Sequence, residues 1–118
     1  MPIRSARFPF QDEFIACIAP TEGVYALWDG HAVILYGVAD EENGLHGTLL
    51  IHKKAKTQAC AKGASHFQVE PASNLMTVRE RVDGLLREHL FANGSYPRCN
   101  LPEELLAFRR PTQLQQNW

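Results

Sequence analysis

Two short apolar runs lie close together in the first half of the chain. Residues 23–28 (GVYALW) and 32–38 (AVILYGV) are rich in β-branched and aromatic residues, and Asp29 and Gly30 lie between them. An Asp-Gly pair between apolar runs is a strong hairpin signal, because glycine accepts the positive φ that tight turns need. The pattern therefore predicts two antiparallel strands.

The next apolar positions follow a helical period. From Leu45 to Ala59 they recur every three or four residues, and Gly63 stands where a glycine commonly ends a helix. We predict one helix over about residues 45–62. The alternating segment 65–71 (SHFQVEP) ends at a proline and predicts a third strand.

A second apolar stripe predicts a long helix in the second half of the chain. It begins at Leu75, could be capped by Ser73 or Asn74, and ends near the Asn-Gly pair at 93–94. Gly84 lies inside this helix and costs about 1 kcal/mol relative to alanine. The glycine therefore indicates a local need for a small residue.

The two ends of the chain complete the prediction. Residues 102–110 (PEELLAFRR) predict a short last helix and residues 111–118 a loose tail, while the irregular start could hold a short element around residues 11–18. The element order is β-β-α-β-α-α. We predict an α+β fold in which helices flank a three-stranded antiparallel sheet, as a single domain over residues 1–118.

Composition places the chain among ordinary globular proteins. It has 118 residues, 45% of them hydrophobic and 21% charged, which is enough for one core and too little for two domains. No apolar run approaches the ~20 residues that cross a bilayer, and no apolar segment follows the first arginines as in a secretory signal. We therefore expect no membrane partner and a cytoplasmic location.

The three cysteines are Cys17, Cys60 and Cys99. They are odd in number, widely spaced and form no CxxC pair, which disfavours a disulfide framework or a zinc site. We predict three reduced thiols that serve as small core residues.

A local basic segment interrupts a chain of nearly neutral charge. Residues 1–43 carry two arginines and seven acids, whereas residues 44–63 carry four lysines and no acid: Lys53, Lys54, Lys56 and Lys62. Such a segment favours a patch that faces phosphates. The alternative is a solvated helix face without a ligand.

Four short motifs resemble parts of the GIY-YIG nuclease family. They are GVY at 23–25, LYG at 35–37, GASHFQVE at 63–70 and PRCN at 97–100. Their order and spacing resemble small bacterial single-domain members over roughly residues 20–100. The resemblance implies a three-stranded antiparallel sheet flanked by helices and, in active members, magnesium-dependent hydrolysis of DNA phosphodiesters.

The family's functional positions carry over only in part. The resemblance makes Tyr25, His52 and Asn100 candidate catalytic residues, and the position of the metal-binding glutamate falls on Val82 or Asp83. Asp83 is the candidate Mg²⁺ ligand, because a carboxylate with waters can hold this ion. The alternatives are a hydrogen-bonded core histidine at His52 and a solvated helix-edge charge at Asp83.

Two positions depart from the family pattern. Leu35 replaces the first tyrosine of the second motif, and Tyr36 beside it should point to the opposite face of the strand. Thr48 stands where the family has an arginine, and threonine carries no charge to clamp a phosphate. His46 or Lys53 could reach this position only from the flank.

Three functional hypotheses follow. The first is a domain that binds nucleic acid, DNA above all, without efficient cutting; its candidate contacts are Lys53, Lys54, Lys56, Lys62 and Tyr36, with Arg79 or Arg98. The second is a divergent DNA endonuclease that relies on Tyr25, His52, Asp83 and Asn100. The third is a protein-interaction module, for example a homodimer that docks through the apolar residues of the last segment: Leu105, Leu106, Phe108, Leu114 and Trp118.

Overall fold

A computed structural model describes residues 2–54 and 59–100 of the chain. Its strands are β1 (Phe8–Pro9), β2 (Gly23–Asp29), β3 (Ala32–Ala39) and β4 (His66–Pro71). Its helices are α1 (Asp12–Ile15), α2 (Gly44–Lys54) and α3 (Val78–Asn93), with a 3₁₀ turn at Ala59–Gly63. The predicted helix at 102–110 and tail at 111–118 lie outside the described residues.

The strands form one antiparallel sheet in the order β1-β4-β2-β3. The predicted hairpin is confirmed, and Gly30 has the positive φ of 62° that its turn requires. The α+β class is also confirmed, but the predicted count of three strands is wrong. Phe8 and Pro9 add a fourth strand by pairing with Phe67 and His66. Two residues are too short to show an alternating pattern in the sequence.

The two faces of the sheet carry different helices. On one face, Tyr25 and Leu27 join a buried cluster with Leu45 and Leu49 of α2. On the other face, Val24 and Ala26 pack with Val82 and Leu85 of α3. Because neighbouring residues of β2 point to opposite sides, α2 and α3 lie on opposite faces of the sheet.

The predicted helix boundaries need two corrections. The helix predicted over 45–62 is wrong as one continuous element, since α2 is described to Lys54 and Ala59–Gly63 form a 3₁₀ turn that buries Ala61. The caps predicted at Ser73 and Asn74 are wrong as well. Thr77 caps α3 in a reciprocal box with Glu80, so the helix begins about one turn later than predicted.

Other predicted boundaries are confirmed. α3 ends at Asn93, and Gly94 follows in the left-handed conformation with a φ of 79°. The short element expected around residues 11–18 is α1. None of the described helices is long and apolar enough to span a membrane.

The prediction for the cysteines is wrong. Cys60 and Cys99 form a disulfide, and Cys17 is an exposed free thiol, so only Cys99 is a buried residue. The fold brings the pair together because the segment after α3 runs along β3, where the Cys99 amide donates to the carbonyl of Ile34. A contact between residues 39 apart cannot be inferred from spacing alone.

Candidate functional site

A tyrosine and a histidine meet between the sheet and α2. The hydroxyl of Tyr25 lies 2.5 Å from Nε2 of His52, and the two rings pack edge to face with their centroids 5.3 Å apart. Tyr25 is 4% exposed, and His52 is half-buried in the last turn of α2. The structure thus brings together two of the three predicted catalytic residues.

The ring of Tyr25 packs on a glycine of the neighbouring strand. Gly37 of β3 lies directly opposite Tyr25 in the register, and an added Cβ there would overlap the ring. Leu35 is buried opposite Leu27 on the same face. Thr48 is half-buried one turn before His52. Of the two positions that depart from the family motifs, Leu35 therefore belongs to the buried cluster around Tyr25, and Thr48 is an uncharged residue of α2.

Burial keeps both partners of the pair uncharged. Desolvation raises the pKa of the Tyr25 hydroxyl far above its ordinary value and lowers the pKa of the His52 imidazole. A protonated phenol and a neutral imidazole can share one hydrogen bond, with the phenol proton directed at Nε2 and the ring proton on Nδ1. The arrangement can accept or orient a polar group, but it holds no fixed charge.

The depressed pKa of His52 predicts a pH-dependent stability. The unfolded chain binds a proton at His52 more readily than the folded one, so the contribution of the neutral ring is complete above the ordinary pKa of 6.5. This contribution to stability is lost as the pH falls from 6.5 through the lower pKa that His52 has in the folded protein. We expect urea unfolding between about pH 7.5 and about pH 5 to show a larger stability loss in the wild type than in His52→Gln. Equal losses in both proteins would contradict this assignment.

Two of the four predicted phosphate-binding lysines have described side chains. Lys53 and Lys54 follow His52 directly at the end of α2, and both are exposed. The Lys53 ammonium lies 5.8 Å from the centroid of the Phe10 ring. Lys56 lies outside the described residues, as does the side chain of Lys62. The two described lysines of the basic segment therefore lie at the exposed end of α2, directly after His52.

Tyr36 and Asn100 lie together at the edge strand β3. The Asn100 side chain accepts from the Tyr36 amide at 2.8 Å and donates to the Tyr36 carbonyl at 3.0 Å. Both ends of the Asn100 amide are thus engaged with backbone. The Tyr36 side chain packs on the α3 face. The structure confirms that Tyr36 and Tyr25 point to opposite sides of the sheet.

The candidate metal ligand is not part of the site. Asp83 is exposed on α3, on the opposite face of the sheet from Tyr25 and His52. Over residues 2–54 and 59–100, no three histidine, cysteine or carboxylate side chains lie close enough together to hold a metal ion. Tyr25 and His52 themselves supply no carboxylate, the ligand that Mg²⁺ prefers. The ligand role of Asp83 stays a prediction.

Other polar contacts were not foreseen from the sequence. The guanidinium of Arg81 on α3 donates two hydrogen bonds, of 2.6 and 3.0 Å, to the carboxylate of Glu70 on β4. This contact raises the pKa of the guanidinium. His46 is bonded through Nδ1 to the carbonyl of Ile15. Arg98 pairs with Asp29 at 3.0 Å. No sequence spacing signals these partners, because each contact joins different elements.

Comparisons of the chain with family models, with curated proteins and with solved structures give no match. The resemblance to the GIY-YIG family therefore stays a prediction from the motifs.

Proposed function

We propose that this chain is a GIY-YIG-like domain that binds nucleic acid, DNA first, without efficient cleavage. The observation that carries the proposal is the contact between Tyr25 and His52. The resemblance selected these residues separately, 27 positions apart, and they lie within hydrogen-bond distance of each other. His52 is the half-buried member of this pair and lies beside a basic helix end, which is a fitting place for a phosphate or a sugar hydroxyl.

The charges around the pair support a polyanion as the ligand. Lys53 and Lys54 are exposed immediately beyond His52, and the segment 44–63 to which they belong contains no acid. Cations that neutralise phosphates release condensed counterions, which supplies much of the affinity of such surfaces.

The lack of cleavage follows from what the site does not contain. Leu35 and Thr48 supply neither a second phenol nor a cation beside Tyr25. Loss of one preorganised charge-stabilising group commonly raises a barrier by about 3 kcal/mol. Two such losses would bring hydrolysis close to the background rate.

Lysine substitutions test the binding surface. We expect Lys53→Ala/Lys54→Ala to weaken binding to labelled duplex DNA, measured by fluorescence anisotropy over a range of salt concentrations. The slope of log affinity against log salt should fall by about 0.9 for each phosphate contact that is lost.

A matched variant on the other face is the control. Arg4→Ala/Arg87→Ala removes the same charge from exposed residues on the α3 side of the sheet. We expect its salt slope to equal that of the wild type. A similar loss in both variants would mean that net charge, and not the end of α2, determines binding.

A divergent endonuclease is the second candidate function. The neutral imidazole against the Tyr25 hydroxyl favours it, because such a pair can take up a proton from a nucleophile. Duplex, single-stranded and branched DNA incubated with Mg²⁺ or Mn²⁺ and resolved on a denaturing gel separate the two functions. Cleavage that disappears in Tyr25→Phe would replace our proposal by this one. If DNA is neither cut nor bound, a protein-interaction module is the remaining hypothesis.

A further inference from the structure

A cavity lies on the α3 side of the sheet, beside the first turn of that helix. It has a volume of about 360 Å³, within the range of about 300–1,000 Å³ that is typical of small-molecule sites. Val24 of β2 and Val78 of α3 line it, and the connecting segment 71–77 supplies much of the remaining wall. The fold thus provides a largely apolar space across the sheet from Tyr25.

Two large apolar side chains of this wall are left in water. Leu75 is 91% exposed and Met76 is 47% exposed, and both line the cavity. Exposed apolar surface that adjoins an apolar cavity marks a place where a ligand binds. The part of the ligand that covers these two residues is therefore apolar.

The polar side chains of the lining leave one charge without a partner. Glu70 and Arg81 balance each other through two hydrogen bonds. The hydroxyls of Ser73 and Thr77 are engaged within their own segment. Arg4 lines the same cavity, is exposed, and forms no ion pair or hydrogen bond with the described part of the chain. The charge that a ligand can meet here is therefore positive.

We propose that this cavity binds a small amphipathic anion, namely a medium-chain aliphatic tail that carries a carboxylate. In this complex the tail contacts Val24 and Val78 and covers Leu75, while the carboxylate pairs with Arg4. The positive end of the α3 dipole favours the same sign of charge, because Thr77 caps that helix and lines the cavity. A cationic head group would face the like charge of the arginine.

Titration of the isotope-labelled protein with octanoate, followed by backbone amide chemical shifts, tests the proposal. We expect saturable shifts at residues 71–81 and 2–5. Octanol and octylamine carry the same tail and separate the contribution of the head group. Octanol should bind more weakly than octanoate, and octylamine more weakly still, because only the carboxylate attracts Arg4.

The length of the tail gives a second measure. From hexanoate to octanoate, each added CH₂ should tighten binding about fourfold, because each one transfers apolar surface from water into the cavity. Ala72→Trp places a large ring on an exposed residue of the wall and should weaken octanoate and octanol alike, about tenfold or more. The amide spectrum of this variant shows whether its fold is retained.

An arginine substitution isolates the charge. Arg4→Gln should weaken octanoate about threefold, in keeping with the small contribution of an exposed ion pair, and should leave octanol unchanged. Arg87→Gln changes an exposed arginine of α3 that lies outside the cavity lining. It is the matched control and should leave both affinities unchanged.

Three outcomes would overturn the proposal. One is the absence of amide shifts at residues 71–81 with octanoate up to about 5 mM, which would place any affinity below that of a specific site. Another is octylamine that binds as tightly as octanoate, because the head group would then contribute nothing. The third is an equal loss of octanoate affinity in Arg4→Gln and Arg87→Gln, because net charge would then explain the binding.

Discussion

Gly44→Ala is expected to destabilise the domain by about 3 kcal/mol or more, since it combines two separate costs. Gly44 opens α2 with a φ of 67°, in a region where an L-residue loses about 1–2 kcal/mol. Its added Cβ would also overlap backbone atoms of Pro20, which cannot rotate away as a side chain can. The start of α2 would have to move, although the Leu45 amide bonds the Thr21 carbonyl there.

Gly30→Ala separates the two costs. Gly30 has a φ of 62°, close to that of Gly44, but a Cβ there would meet no atom within 4 Å. We expect this control to lose only the backbone term of about 1–2 kcal/mol. Urea unfolding of both variants measures the difference. Equal losses would mean that the contact with Pro20 relaxes at little cost.

Reduction of the Cys60–Cys99 disulfide is expected to lower the free energy of unfolding by about 4 kcal/mol. The bond closes a segment of 39 residues, and cross-linking a loop of this length removes chain entropy from the unfolded state by about that amount. Urea unfolding with and without a reductant measures the change. Cys60→Ser in the absence of reductant should reproduce the reduced protein.

The third cysteine supplies the control for that experiment. Cys17 is free and exposed, so Cys17→Ser should keep both the stability and its response to reductant. Thiol titration of the denatured, unreduced wild-type protein should find one reactive group, that of Cys17. Three reactive groups would contradict the bond. Because disulfides persist mainly in oxidising compartments, the cytoplasmic location expected from composition stays a prediction.

Local patterns predicted the parts of the fold that local chemistry determines. The Asp-Gly turn, the three longer strands and the glycine at the end of α3 follow from φ preferences and alternation. The Thr77–Glu80 box was readable in the sequence as well. Leu75 stands before this box and continues the apolar stripe in the sequence, but the structure leaves it 91% exposed.

Tertiary packing determines the remainder of the candidate site. Spacing placed His52 on the inner side of its helix, but only the sheet register shows that it meets Tyr25. Asp83 is one position from the buried Val82, but α3 packs on the face of the sheet opposite Tyr25. Asp83 and the Tyr25–His52 pair therefore lie on different sides of the sheet. Which face a helix covers depends on contacts between elements, and a periodic pattern cannot specify that.

The position of Asn100 has a consequence for the solubility of the folded chain. β3 is the outer strand of the sheet, and an open strand edge is a template on which other chains can add and aggregate. The Asn100 side chain occupies the amide and carbonyl of Tyr36, and the Cys99 amide occupies the carbonyl of Ile34. The segment after α3 therefore acts as a cover that removes the middle of this edge from intermolecular pairing.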